Sequence, residues 1–116
     1  MTEPMLQIIV ALADANRLAI VDLLKRGPLT VGEIAERLSL NQPQVSKHLR
    51  TLHDAEIVQV KPLGNRRIYH LRLETFFKLT AWSRSFEQQV EERMLRLESY
   101  LLELQEKPTE GVTDDD

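Results

Sequence analysis

The chain has no cysteine, so neither a disulfide framework nor a thiolate metal site is possible. No apolar run approaches the roughly 20 residues that span a bilayer, and residues 1–14 lack the basic start of a signal peptide. These absences predict a protein that makes no use of a membrane and works in the cytoplasm. A phosphate-binding glycine loop is missing as well, and histidine is confined to His48, His53 and His70. His48 and His53 are five residues apart, about 140° around a helix, and do not grip one ion from one face. Ser46 and His48, two apart, point to different faces, which removes the nearest pairing of a nucleophile with a base. The pattern predicts no enzyme, no metal and no cofactor.

A basic excess is also lacking: the 116 residues carry a formal charge of −3. The charge is unevenly spread, however. From Gln105 onward five acids (Glu106, Glu110, Asp114, Asp115, Asp116) face Lys107 alone, and without that stretch the chain has 14 basic and 13 acidic residues. Between Asn41 and Arg72 six basic residues (Lys47, Arg50, Lys61, Arg66, Arg67, Arg72) face Asp54 and Glu56, a local balance of +4. Local charge is what a phosphate backbone feels.

Within that basic segment, residues 40–52 read LNQPQVSKHLRTL. Asn41 is placed to cap a helix, Gln44 falls three residues later as its reciprocal partner, and Pro43 lies in the first turn, where a missing N–H costs little. Leu40 and Val45 are spaced as a hydrophobic staple. Val45, Leu49 and Leu52 recur at four and three, which predicts one buried stripe and leaves Gln44, Ser46, Lys47, Arg50 and Thr51 outside. Taken alone, this is also the pattern of an ordinary solvated helix, and the flanking elements decide between the two.

Pro4 to Leu12 reads as a short helix, and Asp14 as the cap of a second one running to about Arg26, where Gly27-Pro28 stops it. Leu18, Val21 and Leu24, or Ala19 and Leu23, are its expected buried stripe. A third helix, from about Val31 to Leu38, is capped by Thr30 and buries Ile34, Ala35 and Leu38. Only Ser39 and Leu40 separate it from the Asn41 cap, which makes a helix-turn-helix. Ile57 to Lys61 and Ile68 to Leu71 then alternate as two strands around Gly64-Asn65-Arg66-Arg67, a β-hairpin on which Pro62 suits an edge. A hairpin directly after the second helix of a helix-turn-helix is a winged helix. Glu74 to about Gln105 reads as one helix of roughly 30 residues, on the order of 45 Å. Within it Val90, Met94, Leu97, Leu101 and Leu104 repeat at 4, 3, 4, 3, the stripe of a coiled-coil seam that a second copy would cover. The fold class is mainly α with a small β-hairpin: a winged helix-turn-helix with a long C-terminal dimerisation helix. Residues 1–105 are expected to form this DNA-binding and dimerisation domain, and 106–116 a disordered acidic tail.

Residues 12–71, with the run N-Q-P-x-V-S-x-H-L at Asn41 to Leu49, the hairpin and the flanking helices in order, resemble the ArsR family of bacterial winged-helix repressors. The resemblance implies a homodimer that binds an inverted repeat in double-stranded DNA. The family often has glycine where Ser39 and Glu56 stand here, so both are expected at left-handed cap positions. Its metal sensors carry cysteines in the helix that reads TVGEIAERL here, or histidines on the last helix, and this chain has neither. The segment AWSRSFEQQVEERMLRLESYL is instead similar to the metal-independent branch.

The DNA-contacting residues are then expected to be Gln42, Gln44, Ser46, Lys47 and Arg50, whose amide, hydroxyl and cationic groups match base edges in the major groove. Asn65, Arg66 and Arg67 at the wing tip would lie against phosphates or in the minor groove. The dimer interface is expected at Leu6, Ile9, Trp82, Phe86, Val90, Met94, Leu97, Leu101 and Leu104. Trp82 and Phe86 fit core packing or the lining of an effector pocket. The main rival is a winged helix that uses its long helix to bind another protein.

Overall fold

A computed structural model describes residues 2–106. The expected acidic tail, 106–116, lies outside the described residues apart from Glu106. Four helices come first: α1 (Thr2–Leu12), α2 (Ala15–Leu24), α3 (Val31–Leu38) and α4 (Gln42–Asp54). A hairpin of β1 (Val58–Leu63) and β2 (Arg66–Leu71) follows, then α5 (Leu73–Arg84) and α6 (Glu87–Glu106). The residues divide into two compact units, one ending at Leu79 and one beginning at Thr80.

The core of the first unit is a single apolar cluster built from α1 to α4 and the root of the hairpin. Ile20, Ile34, Val45, Leu52 and Ile57 are completely enclosed within it. The Val45, Leu49, Leu52 stripe of α4 is buried as its spacing predicts. On α2 the expected stripe is wrong in one member. Leu18 is 48% exposed, and Ile20, with Val21 and Leu24, faces the core instead. The reason is that ANRLAIVDLL carries apolar residues around most of its circumference, so periodicity alone does not choose a face.

The hairpin is antiparallel, with Leu63 opposite Arg66, Pro62 opposite Arg67 and Val60 opposite Tyr69. Its two-residue turn is Gly64-Asn65, and Gly64 has φ +65°, a left-handed conformation that glycine enters without steric cost. Arg66 and Arg67 thus belong to β2 rather than to the tip. Leu29, in the loop after α2, exchanges backbone hydrogen bonds with Tyr69 at 3.2 and 2.8 Å, which moors the wing to the helical body.

The expected single helix from Glu74 to about Gln105 is interrupted at Ser85-Phe86, giving α5 and α6. Here the Ser85 N–H is shared between the carbonyls of Ala81 and Trp82, Phe86 N–H reaches Ser83, and the Ser85 hydroxyl donates to the Trp82 carbonyl at 2.6 Å. A serine side chain bound to the backbone competes with the regular ladder, and the helix restarts with Glu87 in its first turn.

Candidate nucleic-acid interface

Both helices of the helix-turn-helix begin with a complete capping box. The Thr30 hydroxyl accepts from the Glu33 N–H at 3.2 Å while the Glu33 carboxylate accepts from the Thr30 N–H at 2.9 Å. Asn41 Oδ1 accepts from the Gln44 N–H at 2.9 Å, and Gln44 Oε1 accepts from the Asn41 N–H at 3.1 Å. Between them Ser39 closes α3 in a left-handed conformation, φ 56° and ψ 42°, as expected of that position. Glu56, after α4, is left-handed too, at φ 61°. Its carboxylate pairs with Arg72 at 3.1 Å, and the Thr75 hydroxyl donates to its carbonyl, so the end of α4 is tied to the start of α5.

With that start fixed, Gln42, Gln44, Ser46, Lys47 and Arg50 are all exposed on α4. Thr51 is not fully outside as expected: it is half-buried, and its hydroxyl lies 3.4 Å from the Lys47 carbonyl. The Gln44 amide oxygen is already engaged in the capping box, which leaves its NH₂ to face outward. His48 is half-buried, with Nδ1 3.5 Å from Arg17 Nη1.

On the wing, Asn65, Arg66 and Arg67 are exposed, but the two arginines have different surroundings. The Arg66 guanidinium stands 3.7 Å from the Glu33 carboxylate, so α3 neutralises part of its charge. Arg67 lies beside α4 and shares a cleft with Ser46, Arg50, His53 and Tyr69. The sequence reading missed His53 and Tyr69. The available signal was the spacing of Ser46, Leu49, Arg50 and His53, which is i, i+3, i+4, i+7 on one helix face.

Two carboxyls near this surface ionise more easily than usual. The Thr30 N–H, then the Thr30 hydroxyl and the charges of Arg66 and Arg37, hold Glu33 below its ordinary 4.5. The Arg17 N–H, then the Asn16 N–H and the charges of Arg17 and His48, hold Asp14 below 3.8.

The apolar residues expected at an interface are exposed as well: Leu6 and Ile9 on α1, and Val90, Met94, Leu97, Leu101 and Leu104 on α6. Trp82 and Phe86 are about half exposed and stack edge to face with ring centres 5.3 Å apart. With Val90 they line an open groove, so they are not core within this unit. Among the described residues no group of three or more histidine, aspartate or glutamate side chains is placed to hold a metal ion. No single helix there is long and apolar enough to cross a membrane.

A capped second helix with a polar outer face, packed between a partner helix and a two-stranded wing, defines a winged helix-turn-helix. The chain belongs to the ArsR family. Residues 14–60 match the family described as bacterial regulatory protein, arsR family. The chain is 34% identical to the transcriptional repressor SdpR of Bacillus subtilis over 76 residues, which are 66% of this chain and 84% of that one. It is 51% identical over 61 residues to the HTH-type transcriptional regulator Rv2034 of Mycobacterium tuberculosis, covering 53% of this chain and 57% of that protein. The match thus spans little more than half of that relative's length. A crystal structure of an ArsR family transcriptional regulator superposes with a TM-score of 0.70 at 31% identity, covering 78% of this chain and 94% of the other. A solution structure of a homodimeric winged helix-turn-helix DNA-binding domain from Mycobacterium bovis superposes with a TM-score of 0.63 at 27% identity, covering 76% and 82%. The family and these relatives are transcriptional regulators, not enzymes.

Proposed function

We propose that the chain is a homodimeric repressor that places one α4 helix of each subunit in the major groove of an inverted-repeat operator, with residues 1–105 acting together as DNA-binding and dimerisation domain. The observation that carries this reading is α4 itself. Its inner stripe is locked in the core, its start is fixed by a capping box, and Gln42, Gln44, Ser46, Lys47 and Arg50 face outward. A helix roughly 10–12 Å across fits a major groove about 12 Å wide, where amide and cationic groups read base edges. Asn65, Arg66 and Arg67 then reach the backbone or the adjacent minor groove.

A second copy is favoured as the cover of α6, because Val90, Met94, Leu97, Leu101 and Leu104 share one exposed face and monomers seldom leave so contiguous an apolar surface in water. Leu6, Ile9, Trp82 and Phe86 add to the surface available to it. The homodimeric neighbour from Mycobacterium bovis supports the same choice. A chain without cysteine, and with no histidine beyond His70, offers no soft donor set for a metal inducer, so DNA binding is read as independent of metals. Its place of work is the cytoplasm, with the DNA.

Selection from random duplexes tests the reading. The expected product is an inverted repeat with half-site centres about one helical turn, or a multiple of it, apart, bound with a steep salt dependence. A chain that enriches no sequence and binds DNA weakly at all salt concentrations would instead be a protein-interaction module.

A further inference from the structure

Val45, His48, Leu49 and Leu52 stand at i, i+3, i+4 and i+7 on α4 and therefore share its inward side. Val45, Leu49 and Leu52 are enclosed in the core, whereas His48, the one polar member of the set, is half-buried at its edge. Its neighbour on α2 is Arg17, whose side chain is only 17% exposed. A guanidinium carries donors and no acceptor, so in the 3.5 Å contact between Arg17 Nη1 and His48 Nδ1 the imidazole accepts. The rest of the same group is engaged elsewhere. Nε donates to the Ala11 carbonyl at 2.5 Å, Nη2 reaches the Val10 carbonyl at 3.4 Å, and Asp14, the cap of α2, stands 3.9 Å from Nη1.

This contact differs in kind from the stripe it borders. Apolar burial keeps α4 in the core but has no direction, so it resists a small roll of the helix only weakly. A hydrogen bond is directional, and a planar guanidinium already held by the end of α1 does not follow a rolling partner. The roll of α4 matters because its outward face starts beside His48, at Lys47, and a contact to a reading group survives a displacement of only about 0.5 Å or 10–20°. Stability does not explain the histidine. A leucine at the same place would extend the apolar stripe and would serve burial and helix propensity better.

We propose that Arg17 is a positioning residue for sequence reading: by holding His48 it fixes the roll of α4 against the end of α1 and the start of α2, and it acts without touching DNA. The inference rests on the reading of α4 as the helix that enters the operator, and adds to it a residue that lies outside the reading surface.

Two measurements on the full chain test it, with Arg17→Lys, which keeps the charge but not the fork, and His48→Leu, which keeps the stripe but not the acceptor. In DNA-free protein, N–H residual dipolar couplings give the orientation of α4 relative to α2. The expected result is the same changed orientation in both variants, with α4 still helical, and an orientation equal to that of the wild type overturns the proposal. On DNA, fluorescence anisotropy compares a duplex selected by the wild-type protein with a scrambled one. Each variant is expected to lower the preference about tenfold, and the double variant less than about twofold further. His48→Leu is expected to do so without a lower urea midpoint, which the loss of a merely structural contact would not allow. A loss in His48→Leu alone, with Arg17→Lys binding as the wild type does, makes His48 a direct contact and overturns the role of Arg17, as do additive losses. If the wild-type protein prefers no duplex while the dipolar couplings change as expected, the operator reading fails and the positioning of α4 stands.

Discussion

Arg17 joins three parts of the first unit. Its Nε donates to the Ala11 carbonyl at 2.5 Å and its Nη2 reaches the Val10 carbonyl at 3.4 Å, which satisfies the open end of α1, while Nη1 lies against His48 on α4. Asp14, its ion-pair partner at 3.9 Å, caps α2. Truncation to alanine would strip two helix-end carbonyls of a charged donor. Arg17→Ala is therefore expected to cost about 1.5–3 kcal/mol, read as a lower urea midpoint at unchanged slope. A midpoint that does not move would show that water replaces the guanidinium without loss. The caps at Asp14 and Glu33 make a second prediction. Both carboxyls ionise below their ordinary values in the folded chain, so the stabilisation they give is complete above about pH 4.5 and is lost as pH falls through the depressed folded values. Carbon-detected titration should place the Glu33 midpoint below 4.5, and Thr30→Val, which removes the hydroxyl but keeps the N–H, should raise it part of the way back. A Glu33 midpoint at or above 4.5 would contradict the capping geometry. Left-handed Ser39 gives a third. A non-glycine residue pays about 1–2 kcal/mol there and glycine returns part of that through unfolded-chain entropy, so Ser39→Gly should stabilise by roughly 0.5–1 kcal/mol.

Elements differ in how much of themselves the sequence displays, and the reasons are physical. The starts of α3 and α4 were readable because Thr30 and Asn41 are each followed three residues later by Glu33 and Gln44, and each pair closes a capping box. The left-handed turns at Ser39 and Glu56 were readable only through the family resemblance, since neither residue type demands that conformation. The buried face of α2 was not readable, because its apolar residues surround the helix and the position of Leu18 is settled by neighbours far away in sequence. Nor was the break at Ser85-Phe86, where the Ser85 hydroxyl competes with the helical ladder in a stretch whose apolar repeat runs on. The cleft between α4 and β2 needed two elements to be superposed in space, so Ser46, Arg50 and Arg67 could be listed singly but not joined to His53 and Tyr69. An element-level prediction follows from the break. Replacing Ser85 with alanine removes the competing hydroxyl and should add about one turn of helix by circular dichroism, with α5 and α6 becoming continuous. Unchanged ellipticity would mean that the interruption has another cause.

At the scale of the whole molecule, a chain with a net charge of −3 is read as a DNA-binding protein because its charge is divided by region rather than averaged. The proposed dimer would seat a second copy on the exposed stripe of α6, and two copies related by a two-fold axis would read a sequence with the same symmetry. Sedimentation equilibrium at tens of micromolar should give a dimer, and Leu97→Glu with Leu101→Glu should give a folded monomer. A wild-type monomer would leave the stripe to another partner. Added zinc or cadmium, or a chelator, should shift operator affinity by less than about twofold. A tenfold shift, about 1.4 kcal/mol of coupling, would reveal a metal site built from the carboxylates and histidines that remain. The central claim is that the polar face of α4 reads sequence. Fluorescence anisotropy on a duplex selected by the wild-type protein and on a scrambled one tests this most directly, comparing wild type with a variant carrying alanine at Gln42, Gln44, Ser46, Lys47 and Arg50. The account predicts that the variant stays folded and dimeric but binds the two duplexes alike, each single change at a base-reading position costing roughly 1–3 kcal/mol on the selected site alone. A variant that keeps the wild-type preference for the selected duplex would contradict it.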